Sequence, residues 1–279
     1  MVCGKAIRDR YVPQQSGKVH DSCYVGQLAP KCAVCGSGML GTIVTDSWGY
    51  RYHEIHRRQF PPCDVCGRLT CHEIGGGGVR IGDGRHLCRY CLRTAVQDDS
   101  KALKRFRAVR EQLAGWGMAI PGADIPLRLV DLSGMQRLLR AKSQLASKRV
   151  SGFTQMQSEI VGGSVRQRQV VIYMLSYLPQ ELFDGTAAHE LGHAWAFFAG
   201  CPQHQPALSE GACNYLRWRI HELHDGPEAQ FFMKGMLEER DPVYGQGFRR
   251  VKNYVERSGF AALLKLLQRS ADFPLFDWI

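Results

Sequence analysis

The sequence predicts an α+β protein of two unlike parts. Small, turn-rich units held by metal come first, then a larger domain with a small β-sheet, a ligand-bearing helix and a helical C-terminal part. Three observations predict it. Nine of the eleven cysteines fall within the first 91 residues, mostly as Cys-x-x-Cys pairs with histidines between them. Beyond residue 118, short strand-like runs precede long helical ones. One of those helical runs carries two histidines four residues apart, with a glutamate between them.

Composition sets the outer limits. A chain of 279 residues has room for one large domain or two modest ones. With 44% hydrophobic and 22% charged residues it reads as folded rather than disordered. It has no apolar run of 18 residues, and its start, MVCGKAIRDR, lacks the apolar core of a signal peptide. The expectation is therefore a cytoplasmic protein with no membrane partner. The net charge of +10 raises nucleic acid as a partner. The basic residues are scattered, however, and no finger shows a helix with base-reading side chains, which disfavours it. Disulfides would be spread through a small secreted scaffold; paired cysteines with interleaved histidines indicate metal in a reducing compartment.

Taken in order, the N-terminal ligands form sets. Cys3 is followed, after sixteen residues, by His20-x-x-Cys23. Its first partner would stand one residue before Met1, so this unit is read as incomplete, with three of four ligands; two unrelated thiols are the alternative. Cys32-x-x-Cys35 is followed, after seventeen residues, by His53-x-x-His56. Cys63-x-x-Cys66 is followed, after twenty-one, by Cys88-x-x-Cys91. Each complete set closes a tetrahedral zinc site with no open position, which is structural. GSGMLG and GGGGVRIGDG could not build a core unaided, so metal would supply the folding energy. Cys71, His72 and His86 are surplus, with surface or core roles.

GYRYH, with a ligand three positions on, then Cys-x-x-Cys and DGRHLC-x-x-C resemble the LIM zinc-finger pattern. His56 stands where LIM units usually have cysteine, which imidazole can replace. The gaps from Cys23 to Cys32 and from His56 to Cys63 exceed the usual two residues, which leaves the packing between fingers open. We read 1–93 as this zinc-binding region (1–30, 31–62 and 63–93) and 94–117 as a helical connector. Residues 118–279 form the larger domain.

In the connector, Leu103, Phe106, Val109 and Leu113 recur at helical spacing among lysines and arginines. IPLRLVDL (125–132) reads as a strand, and Ser133 as the cap of a short helix through Leu139. FTQMQSEI and RQVVIYML (168–175) read as further strands, the latter offering Gln169 to Leu175 as an edge for an extended peptide.

Residues 178–200, LPQELFDGTAAHELGHAWAFFAG, read as a helix carrying His189, Glu190 and His193. Histidines at i and i+4 stand one turn apart on one face, so both imidazoles can reach one zinc, and Glu190 is placed to take a proton from a bound water. Glu210, seventeen positions after His193, opens the next helix candidate, SEGACNYLRWRIHEL. It would complete a two-His, one-Glu set that leaves a fourth position open, as a catalytic zinc requires. Asn214, one turn on, could orient a ligand imidazole. His221 and His224 read as solvated.

LPQELFDGTAAHELGHAW, SEGACNY and DPVYGQGF together resemble the peptidase part of the DA-one family, whose members carry LIM-type units before it. The resemblance implies a gluzincin-type zinc endopeptidase, with Glu190 as base and His189, His193 and Glu210 as ligands. The cofactors would be one catalytic and two structural zinc ions, with a third structural one at Cys3, His20 and Cys23 left open. It implies a protein or peptide substrate, and ubiquitin or ubiquitinated proteins as partners by resemblance only, because no ubiquitin-interacting segment is seen in this sequence. Tyr244, in the DPVYGQGF run, is the first choice to stabilise the developing oxyanion. A zinc-built adaptor without catalysis is the competing reading.

Overall fold

A computed structural model of the chain describes residues 3–15, 17–120, 122, 124–141 and 150–273. Helix and sheet are mixed, and the chain divides into two compact units, Met1–Arg93 and Thr94–Ile279. Among the described residues, no helix is long and apolar enough to cross a membrane.

The first unit repeats one plan three times. Antiparallel hairpins form from β1 (Tyr11–Gln14) and β2 (Gly17–His20), β3 (Ile43–Thr45) and β4 (Arg51–His53), and β5 (Gly78–Arg80) and β6 (His86–Cys88). The second strand of each ends on a predicted ligand: His20, His53 or Cys88. A short helix then carries the next: α1 (Asp21–Cys23), α2 (Ile55–Gln59) and α4 (Arg89–Thr94), while α3 (His72–Gly75) precedes the third hairpin. Turn chemistry explains the knuckles before the second and third hairpins. Gly36 and Gly67, just after each Cys-x-x-Cys, adopt φ of +70° and +76°. Their N–H groups donate back to the carbonyls of Cys32 and Cys63 at 2.9 Å, a left-handed return that disfavours any side chain.

The long spacer after His56 does not separate the second and third repeats. Cys32, Met39 and Tyr52 share a buried cluster with Leu69, Cys71 and Ile74. The Trp48 indole donates to the Cys66 carbonyl at 2.8 Å, and the Arg68 guanidinium lies 3.3 Å from the centre of the Trp48 ring. The surplus Cys71 is thus a core residue, while His72 is exposed.

In the second unit, β7 (Leu127–Val130), β8 (Gly152–Val161) and β9 (Ser164–Leu175) form a sheet of order β7-β9-β8, parallel between β7 and β9 and antiparallel between β8 and β9. Helices α5 (Asp99–Gly115), α6 (Leu132–Ala141), α7 (Gln180–Phe198), α8 (Pro206–His221), α9 (Pro227–Glu238), α10 (Gly247–Ser258) and α11 (Phe260–Arg269) complete it. Small residues let α7 and α8 approach closely: a Cβ on Gly192 would lie 2.8 Å from Leu216 Cδ1 and 3.0 Å from Cys213 Sγ.

Four expectations change. The 94–117 segment is not a connector: α5 buries Ala102, Phe106, Val109 and Leu113 within the second unit. Leu103, about 100° further round the helix, stays 39% exposed. Much of its positive charge is engaged internally, Arg105 on buried Asp184 of α7 and Arg110 on the Ile120 carbonyl. Helix α6 is capped by Asp131, whose Oδ1 accepts from Gly134 N at 2.6 Å and from the Ser133 hydroxyl, in place of Ser133 itself. Strand β9 is central, so Ile172–Leu175 pairs on both sides and the edge strands are β7 and β8. Finally, Glu210 does not begin its helix; Pro206 supplies the first position, and Glu210 sits a turn inside.

Candidate metal centres

Helices α7 and α8 bring His189, His193 and Glu210 together. The two Nε2 atoms are 3.2 Å apart, and Glu210 Oε2 lies 3.2 Å from that of His189 and 3.7 Å from that of His193. Nitrogen and oxygen atoms held at zinc's usual 2.0–2.1 Å and tetrahedral angles stand ~3.4 Å apart, so the triad fits one such ion. The opposite ring nitrogens are already engaged. Asn214 Oδ1 is 3.0 Å from His189 Nδ1, and Cys213 Sγ is 3.5 Å from His193 Nδ1. Both rings therefore turn Nε2 toward the shared point. Electrostatics agree with a cation there. Burial alone would raise the Glu210 carboxyl, but hydrogen bonds from the two imidazoles hold it well below the usual carboxylate range. Burial likewise opposes a charge on His193, yet Cys213 and Glu210 raise its basicity well above the ordinary value.

Glu190 is only 6% exposed and sits against β8. Its Oε2 accepts from the Thr154 hydroxyl at 2.6 Å. A Cβ on Gly152 would come within 2.8 Å of Oε1, so the glycine leaves room beside that oxygen. Tyr244 reaches this region through its backbone: its carbonyl accepts from Asn214 Nδ2 at 3.1 Å.

Cys213 escaped the reading of the sequence. Its only signal is position, three residues after Glu210 on the same helix face. His221 was misread as solvated. It is fully buried, stacked on Phe232 at 5.6 Å, and its Nε2 would meet a Cβ on Gly185 at 2.7 Å. Burial, with the nearby Arg217 charge, pushes its pKa down to about 2. His224 Nε2 lies 3.2 Å from Asp184 Oδ2.

In the first unit, Cys63, Cys66, Cys88 and Cys91 converge in a fully buried cluster. Cys63 and Cys91 sulfurs are 3.8 Å apart, those of Cys66 and Cys88 3.6 Å. Four thiolates at 2.3 Å from one zinc would stand ~3.8 Å apart. Hydrogen bonding among the thiols favours the thiolate of Cys63 and the protonated thiols of Cys66 and Cys91. Four thiolates around one zinc carry a net −2 charge, and Arg68 Nη1, buried 3.8 Å from Cys66 Sγ, faces it. Cys32, Cys35, His53 and His56 converge likewise. His56 Nδ1 bonds Gln59 Oε1 at 2.8 Å while its buried Nε2 has no hydrogen-bond partner among the described residues, the arrangement a metal ligand needs. Cys3, His20 and Cys23 form a smaller group, with His20 Nδ1 3.4 Å and 3.9 Å from the two sulfurs and its Nε2 3.1 Å from the Ala6 carbonyl.

Comparison with known proteins gives one consistent answer. The chain is 24% identical to protein DA1-related 1 of Arabidopsis thaliana, over 98% of its own length and 60% of that protein. It is 23% identical to protein DA1 of the same plant, over 92% of its length and 59% of the relative. The LIM domain-containing protein HDR3 of Oryza sativa subsp. japonica matches at 20% identity, over 92% of this chain and 64% of that one. The chain thus spans about 60% of the length of these relatives. No protein-family model and no solved structure matches it.

Proposed function

From the premise that this chain is a distant member of the DA1 and DA1-related family, we propose that it is a zinc-dependent endopeptidase of gluzincin type whose zinc-built N-terminal repeats engage or regulate protein substrates. The observation that carries the proposal is the convergence of His189, His193 and Glu210 within 3.7 Å, beside a buried glutamate one residue from the first of them. A zinc ion bound there would supply Lewis acidity to a water and to the scissile carbonyl.

The chain's own residues do the rest. Asn214 and Cys213 hold the two rings in orientation through Nδ1. Glu190 Oε1 takes the proton of the attacking water and later passes it to the leaving amine. The Leu175 N–H donates to the Ser151 carbonyl, so along β8 the odd residues bond inward and Gly152, Thr154 and Met156 turn their N–H and C=O groups to the open edge. An extended substrate can pair there, held mostly by its main chain and so with loose sequence preference. Tyr244 remains our choice to donate to the developing oxyanion, its loop tied to α8 through Asn214. Ubiquitin and ubiquitinated proteins are the partners to assay first.

The test is Glu190→Gln in the full chain. It should abolish cleavage of a denatured protein, of a peptide library and of the chain itself, with zinc content unchanged. Persistent cleavage would refute the base; a wild type that binds zinc and cleaves nothing would leave the adaptor reading.

A further inference from the structure

We propose that Thr154 is a positioning residue for Glu190: its hydroxyl fixes one oxygen of the base so that the other faces the reacting water. The inference rests on the peptidase reading above and adds a residue that neither the motif nor its spacing reveals.

The geometry is specific. Thr154 Oγ1 lies 2.6 Å from Glu190 Oε2 and 3.1 Å from the Glu190 backbone carbonyl. A hydroxyl has one proton to give, and the shorter contact to a charged oxygen receives it. Among the described residues, no other group donates a hydrogen bond to this carboxylate. A buried carboxylate with a single donor has one defined orientation, and without that donor it has none imposed by hydrogen bonding. The second oxygen is kept clear by the absence of a side chain at Gly152, where a Cβ would sit 2.8 Å from Oε1 and 2.6 Å from Thr186 Cγ2. Strand β8 therefore divides the carboxylate: Thr154 occupies Oε2, and Gly152 leaves Oε1 free to accept a proton.

In the step this serves, the water O–H bond breaks, its proton goes to Oε1, and the freed electron pair forms the bond to the carbonyl carbon as the C=O π bond breaks and its pair moves onto the carbonyl oxygen. Oε2 keeps its hydrogen bond to Thr154 throughout. Because Thr154 also turns its backbone to the open edge, the residue that would pair with substrate is the one that orients the base.

The test compares Thr154→Val, which keeps shape and loses the hydroxyl, with Thr154→Ser, which keeps the hydroxyl. Both are made in the zinc-loaded full chain and assayed on reduced, alkylated casein. The valine variant should lose ~10- to 100-fold in kcat, with KM changed by less than about twofold and zinc content unchanged. Serine should restore kcat to within about threefold of wild type. Crystal structures supply a second readout that needs no turnover: Glu190 should take more than one rotamer in Thr154→Val and a single one in Thr154→Ser. Wild-type kcat with a single Glu190 rotamer in the valine variant would overturn the positioning role while leaving the peptidase reading intact. A wild type without activity would sink the peptidase reading, and the rotamers would still decide whether Thr154 holds Glu190.

Discussion

Asn214 Oδ1 stands 3.0 Å from Nδ1 of His189, so the amide of one helix sets the ring orientation of a ligand on another. The same side chain donates through Nδ2 to the Tyr244 carbonyl, which fixes which end of the amide faces the histidine. His189 must then carry a proton on Nδ1, which leaves Nε2 as the ring nitrogen that a metal would take.

Replacing Asn214 with Ala removes that constraint without touching a ligand. Zinc affinity at the α7–α8 site should fall by roughly 10- to 100-fold, the usual effect of losing such a partner. A chelator titration that follows zinc release from the full chain reads this directly. Release identical to wild type would show that His189 orients itself.

Gly211, next to Glu210, tests how the helix pair is held. A Cβ there would lie 2.4 Å from the Gly247 carbonyl oxygen, a backbone atom that cannot swing aside. Gly211→Ala must push α8 from the start of α10, at a cost of about 1–3 kcal/mol by the measure of overpacked cores. Thermal unfolding should show the loss, and zinc affinity should fall with it because Glu210 rides on the displaced turn. An unchanged midpoint would mean that the helices separate freely.

Metal removal is expected to act most strongly on the first unit. Its hairpin strands are three or four residues long, and its apolar cluster is small, so folding there depends on the ligand sets. Metal analysis of the full chain should return at least three zinc ions, and a single one would end the zinc-finger assignment. After chelation the amides of Gly36 and Gly67 should lose hydrogen-exchange protection, while the interior amides of α7 keep theirs. Full protection at both glycines without metal would show that the knuckles fold alone.

What could be read beforehand follows from the range of the interactions. His189 and His193 were legible because i, i+4 spacing on one helix is local geometry, and the Cys-x-x-Cys sets because a knuckle is four residues long. Glu210 was legible only through the distance to a second helix plus a resemblance. Thr154 and Cys213 were not. The first depends on which strand of the sheet is the edge, a fact of topology: β9 looked available until β7 was seen to pair with its last four residues. The second depends on how closely α8 lies on α7, set by Gly192 and other small residues without periodic pattern. The same close packing buries His221, whose polarity suggested a solvated surface. Asp131 displaced Ser133 as a cap because both residue types suit that role and only the backbone path chooses between them.

His221 carries a pH dependence whose sign can be worked out. Burial lowers its pKa to about 2 in the folded protein, against about 6.5 in an unfolded chain. Above pH 6.5 the ring is neutral in both states and contributes no slope. As the pH falls below that value, the unfolded chain takes up a proton that the folded one refuses. Stability therefore drops by up to about 1.4 kcal/mol per pH unit, down toward pH 2. The metal-binding histidines add an acid sensitivity of their own, so the comparison is between variants. His221→Gln removes the titration while leaving every ligand in place. Its absolute stability should be lower, because a ring stacked on Phe232 is lost. Its decline in unfolding free energy between pH 6.5 and 5 should nevertheless be shallower than that of wild type, as followed by urea denaturation at fixed zinc concentration. Parallel declines in the two proteins would mean that His221 takes up its proton in the folded state and that the pocket between α7, α8 and α9 admits a charge.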